Sequence, residues 1–122
     1  MPQPWGDLEL VAKTATYTGK VLRRYDRDPY HRAGLQCHPT RDETFYLLSG
    51  RAWVYFVRDA TLYKYLLREG MSVHVPAGAI HSVQTLGDSV MFEASVPDET
   101  EPKTVNVEAD WDIATAVELM DV

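Results

Sequence analysis

The cadence of turn signals constrains this chain more than any other feature. Short runs rich in Val, Tyr, Phe, Trp and Leu are cut by Gly, Pro, Ser or Asp at intervals of about 8 to 12 residues. The runs are Leu8–Lys13, Lys20–Tyr25, Thr44–Leu48, Ala52–Arg58, Thr61–Leu67, Ser72–Val75, His81–Thr85 and Ser89–Val96, with Val105–Val107 as a further short one. Such residues fit a pleated, half-buried surface, and their spacing predicts an all-β antiparallel barrel or sandwich. Two stretches add to that frame. Ala52–Val57 is apolar on both faces, which predicts cover from both sides, by a second sheet or by a second subunit. Near the end, Ile113, Ala116, Val117 and Met120 follow Asp110 at helical spacing. That spacing predicts a short C-terminal helix capped by Asp110, although Val117–Val122 also alternates like a strand.

Size and charge narrow the functional classes. A chain of 122 residues is one domain, 1–122, with room for one core. Its 12 basic and 18 acidic residues leave a net charge of −6, against the basic excess that nucleic-acid binding requires. The longest apolar run, Ala52–Val57, falls far short of the roughly 20 residues that span a bilayer. Residues 1–10 lack a basic segment followed by an apolar one, and Cys37 is alone. A cytoplasmic protein without disulfides is therefore expected, with neither nucleic acid nor membrane as partner.

Several polar residues stand among these strands in a pattern that suits a metal. Gln36 and His38 are two apart, so on a strand they share a face. Glu43 follows after a short loop, and His81 opens a much later strand. One amide oxygen, two imidazoles and a carboxylate make a four-point cage for a divalent transition metal ion, with coordination positions left open for chemistry. Glu93 is a carboxylate on an otherwise apolar run, Val90–Ala94, and is the candidate general base; burial would raise its pKa toward a useful value. His74 lies between Val73 and Val75 and points outward if those valines point in. For an anionic substrate the supply of cations is Lys20, Arg23, Arg24, Arg41 and Arg51. Arg41, on the loop between His38 and Glu43, and Lys20 are the candidate substrate-binding residues. Tyr30, His31 and Arg32 precede the cage residues and are candidates to cover the mouth.

At these residues the sequence resembles the cupin superfamily. The second cupin motif reads here as Gly70, five residues, Pro76-Ala77-Gly78, two residues, His81, then Thr85 in place of the closing Asn. The first reads as Gln36-Cys37-His38, four residues, Glu43, six residues, Gly50, with Gln36 where the first His usually stands and Gly34 too close to be its opening Gly. Together the motifs span residues 34 to 85. Pro4-Trp5-Gly6, Lys20, Leu35-Gln36, Arg41 and Leu48-Ser49-Gly50 are moreover similar to the cupin domain of type II mannose-6-phosphate isomerases. The resemblance implies a jelly-roll barrel with a metal at its mouth, held by Gln36, His38, Glu43 and His81. The ion it implies is divalent: Zn, Mn, Fe or Ni. It also implies a homodimer, for which Ala52–Val57 would serve as the packing strand. The function implied is isomerisation or epimerisation of a sugar or sugar phosphate. The other readings are a metal-dependent dioxygenase or lyase, and a small-molecule binder without turnover.

Overall fold

A computed structural model describes residues 2–3, 6–24, 35–96, 105–107 and 111–120. Among the described residues, twelve strands run in chain order: β1 (Pro2–Gln3), β2 (Gly6–Lys13), β3 (Thr18–Arg24), β4 (Gln36–Cys37), β5 (Glu43–Ser49), β6 (Arg51–Arg58), β7 (Thr61–Arg68), β8 (Ser72–Val75), β9 (His81–Thr85), β10 (Ser89–Ser95), β11 (Val105–Asn106) and β12 (Val117–Leu119). They form two six-stranded sheets, β1-β2-β3-β10-β5-β8 and β11-β4-β9-β6-β7-β12. Among the described residues, all pairings are antiparallel except β12 on β7. The late strand β10 is inserted between the early strands β3 and β5, which is how a jelly roll closes.

The pleat decides what each sheet turns inward. On β5, buried Phe45 and Leu47 alternate with Thr44, Tyr46 and Leu48. The inward set from both sheets, Leu22, Phe45, Leu47, Ala52, Val54, Leu67, Val75, Val83 and Met91, is one continuous core. Leu47 and Leu67 are wholly buried, each contributing about 2 kcal/mol of apolar transfer energy. The same alternation brings polar groups inside: Glu43 on β5, Glu93 on β10 and Arg24 on β3 are buried.

The two-sided character of Ala52–Val57 has its cause within one chain. Ala52 and Val54 face the core. Tyr55, with Leu62 and Leu35, forms a second buried cluster on the outer face, and Trp53, Val57, Val107, Trp111, Ile113 and Ala116 pack on it. The C-terminal segment of the same chain thus covers this face.

That segment is not the expected helix. Ile113–Thr115 make a single 3-10 turn, capped by Asp112, whose side chain accepts from the Ala114 N–H at 3.0 Å. Ala116 then leaves helical geometry, with ψ 130°, and Val117–Leu119 extend along β7. Only half of the helical stripe finds a core: Ile113 and Ala116 pack on the second cluster, whereas Met120 is 88% exposed and Val117 49%. Pairing with β7 instead satisfies backbone groups on an open sheet edge. Asp110, the expected cap, lies outside the described residues.

Hairpin β6–β7 turns through Asp59 and Ala60, at φ 52° and 59°, between the paired residues Arg58 and Thr61. Left-handed geometry at both positions defines a type I′ turn, which favours Gly second. Ala60→Gly is expected to stabilise the protein by about 0.5–1 kcal/mol, because the relief of left-handed strain exceeds the added freedom of the unfolded chain. An unchanged or lower denaturant midpoint would contradict this account of the turn.

Candidate metal centre

The candidate ligands reach one place through strand pairing and one tight turn. Gln36 on β4 lies directly opposite His81 on β9, so the two project from the same face. His38 follows at the end of β4. The turn that leads into β9 is tied to it: the Gly78 N–H donates to the His38 carbonyl at 2.9 Å, and the Ala79 N–H to the Pro76 carbonyl at 3.0 Å. Gly78 has φ 83°, a conformation that disfavours side chains. Glu43 opens β5 opposite Val75 and Ser95 on its two neighbours.

His38, Glu43 and His81 are all buried, and their ligand atoms lie within 4.8 Å of one another. Glu43 Oε1 is 3.2 Å from His38 Nε2 and 3.4 Å from His81 Nε2. Those separations exceed the usual N–H···O distance of about 2.9 Å, and Oε1 has no hydrogen-bond partner although it is buried. An orphaned buried carboxylate oxygen is costly on its own. A tetrahedral ion with ligands about 2.0–2.1 Å away would hold its ligand atoms about 3.4 Å apart, so the spacing fits a bound cation better than it fits hydrogen bonds.

The tautomer of His81 is set from outside the triad. Its Nδ1 donates to the Ala79 carbonyl at 3.0 Å, which directs Nε2 toward Glu43 and makes it the ring nitrogen available to an ion. Arg41 serves His38 differently. Its Nη2 lies 2.9 Å from Nε2 and 3.3 Å from Nδ1 of His38. A donor aimed along one lone pair would be far from the other nitrogen, so the guanidinium lies against the ring face. Arg41 Nε is also 3.7 Å from Glu43 Oε2.

Behind the triad the barrel holds a cavity of about 210 Å3, lined among others by Gln36, His38, Arg41, Glu43, His81, Arg24 and Glu93. Glu93 is 8% exposed. It sits in register with Phe45 on one side and Lys20 on the other, and its Oε2 is 3.7 Å from Lys20 Nζ. Burial, and then the neighbouring Glu43 carboxylate, push the Glu93 carboxyl up to about 7. Burial also acts to raise Glu43, but His81, Arg41, Glu93 and His38 outweigh it and hold Glu43 below its ordinary value. Two adjacent carboxyls are thereby driven apart, Glu43 toward the anion and Glu93 toward the acid.

The structure places the remaining sequence candidates as follows. Lys20 stands beside Glu93 and Arg41 against His38 and Glu43, so both candidate substrate-binding cations face a carboxylate at the cavity. His74 points outward, with Nε2 2.8 Å and 2.9 Å from the Asp42 oxygens. Arg51 is exposed, and Arg23 faces Glu9 at 3.6 Å. Tyr30, His31 and Arg32 lie outside the described residues. Arg24 is the cavity residue that the sequence did not single out from the other arginines. The signal was its strand parity: on β3 it shares the inward face with Lys20 and Leu22.

The sequence profile of the cupin domain matches residues 25–97. No curated protein sequence matches the chain. Among solved structures, KdgF from Halomonas sp. superposes with a TM-score of 0.66 at 20% identity, over 80% of this chain and 84% of that one. A deletion mutant of the oxalate decarboxylase OxdC from Bacillus subtilis gives 0.62 at 22% identity, over 77% of this chain and 24% of its own. The capsular polysaccharide assembling protein CapF from Staphylococcus aureus gives 0.59 at 20% identity, over 84% of this chain and 35% of its own. At such identities the likeness is one of fold.

Proposed function

The chain belongs to the cupin domain family, and we propose that it is a divalent-metal enzyme that isomerises or epimerises a small substrate of the sugar class. One observation carries the proposal: a buried His38–Glu43–His81 triad and a second carboxylate, Glu93, line the same small cavity. His38, Glu43 and His81 would hold the ion, with the Gln36 amide oxygen as fourth ligand. A bound divalent ion supplies Lewis-acid polarisation of a carbonyl and hydroxyl pair. Glu93 takes a proton from the hydroxyl-bearing carbon next to that carbonyl and returns it to the former carbonyl carbon, while the hydroxyl proton passes to the former carbonyl oxygen, so no net proton is gained or lost. Lys20 steadies the Glu93 carboxylate when it forms. The core residues Leu22, Phe45 and Met91, which also line the cavity, exclude bulk water from the transfer.

A mixed hard and borderline donor set of this kind suits Zn, Mn, Fe or Ni. The second reading is a lyase. It has the same support from the Glu93 position, because a carboxylic acid beside the ion would also protonate a carbon left by bond cleavage. For the expected homodimer, the outer face of β6 is taken by the chain's own C-terminal segment. The support that remains is the exposed pair Tyr46 and Leu48 on the outer face of the other sheet.

Incubating metal-loaded protein with a panel of aldoses and ketoses in deuterium oxide tests the reading. Isomerisation through a protein carboxyl carries solvent deuterium onto carbon and requires the ion. Release of carbon dioxide or a second fragment would select the lyase. Saturable binding across the panel without exchange or turnover would reject both.

A further inference from the structure

Arg41 meets His38 at the nitrogen that an ion would need. A group that steadies a metal-binding imidazole bonds the ring nitrogen turned away from the ion, as the Ala79 carbonyl does for His81. Arg41 does the reverse. Its Nη2 is 2.9 Å from His38 Nε2, the nitrogen beside Glu43 Oε1, and 3.3 Å from Nδ1. Its Nε is 3.7 Å from Glu43 Oε2, so one guanidinium lies against two of the three triad residues. An ion held about 2.1 Å from Nε2 would be at most about 5 Å from Nη2, because the two separations meet at the same atom. A guanidinium keeps its charge throughout the pH range of folded proteins. Beside buried ligands, where water screens little, a dication and a guanidinium at that range repel each other strongly. The same carboxylate, Glu43, would also have to serve both.

We propose that Arg41 competes with the ion for the His38–Glu43 pair, lying against it while the site is empty and withdrawing toward solvent as the site fills, and so sets how tightly the ion is held. The proposal rests on the metal reading of the triad and adds to it a residue that weakens the site. The fold permits the exchange. Arg41 is on the loop between β4 and β5, with 18% of its side chain exposed, whereas His38 and Glu43 are at 4% and 2%. The ligands are fixed through the backbone: the Gly78 N–H donates to the His38 carbonyl, and Glu43 is paired with Val75 and Ser95. Arg41 instead can leave by rotating its own long side chain. Until the site fills, its guanidinium offsets part of the buried Glu43 charge.

Support and competition predict opposite signs. Removing a supporting contact weakens the hold on the ion by about 10- to 100-fold, whereas removing a competitor tightens it. Zinc and manganese(II) affinities of the metal-stripped full chain, measured by competition with a chromophoric chelator, decide between them. Arg41→Met is expected to bind both ions about 30-fold more tightly than wild type. Arg41→Gln, polar and uncharged, is expected to match it, and it decides the matter if the methionine variant does not fold. Arg41→Lys, which keeps the charge on a shorter side chain, is expected to fall between wild type and Arg41→Met. Weaker or unchanged binding in the uncharged variants overturns the proposal and leaves the metal reading standing. Uptake of neither ion by wild type and variants alike overturns the metal reading, and the proposal with it.

Discussion

His81→Ala is expected to lose the bound ion, and with it the chelator-sensitive part of the protein's stability. Wild-type protein prepared without added metal should carry about one divalent ion per chain, and His38→Ala and His81→Ala less than about a tenth of that. The size of the effect follows from the geometry. Three candidate ligand atoms within 4.8 Å would share one ion, and each removal would leave too few donors to hold it. An ion present at about 1,000 times its dissociation constant stabilises the fold by about 4 kcal/mol. For a chain of 122 residues, with an unfolding entropy of about 2.1 cal/mol/K per residue, chelation should lower the wild-type melting midpoint by about 15 °C. His81→Ala should melt low with or without chelator. His74→Ala, which alters an exposed residue paired with Asp42, should behave as wild type. Full ion content in both triad variants would remove the basis of the proposed function.

Glu93→Gln is expected to keep the ion and lose the chemistry. Glu93 is not one of the triad ligands, so its ion content should match wild type, while turnover and solvent exchange fall about 1,000-fold, as for loss of a general base. The same variant has a signature that needs no substrate. The Glu93 carboxyl rests at about 7 in the folded protein against 4.5 ordinarily, because folding buries it beside Glu43. The folded state holds this proton more tightly than the unfolded chain does. Its contribution to stability is therefore fully present below about pH 4.5 and is lost as the pH rises through 7. The loss amounts to about 3 kcal/mol. Glu43 acts in the opposite sense: its lowered pKa contributes above its ordinary value and is lost as the pH falls through the folded one. In chelated protein, denaturant titrations at pH 5 and pH 8 should show that Glu93→Gln abolishes most of the wild-type decline at the higher pH. A parallel decline in the two proteins would mean that Glu93 is not held as an acid.

The strands were legible because their signals are local. β8 (Ser72–Val75) and β9 (His81–Thr85) have the bounds that residue type and turn residues predict, and the other long strands differ by a residue or two at their ends. His38, Glu43 and His81 could be nominated together because metal ligation restricts residue type, and cupin-like spacing narrowed the choice. The outward turn of His74 was legible from parity with Val73 and Val75. The C-terminal helix failed because its apolar spacing fits a helix and a strand equally well over so few residues. The open edge of β7 and the apolar patch at Tyr55 and Leu62, both distant in sequence, settled it.

By itself the chain determined an all-β antiparallel barrel or sandwich, which its resemblance to cupins narrowed to a jelly roll, and a short list of polar residues able to bind a cation, because period, turn chemistry and donor type are properties of neighbouring residues. Only the tertiary structure decided that Glu93 and Arg24 are buried in the cavity of the triad, and that the outer face of β6 is covered by its own C-terminal segment. Burial and charge proximity depend on which strands lie side by side. That order, β10 between β3 and β5, arises from contacts between segments far apart along the chain.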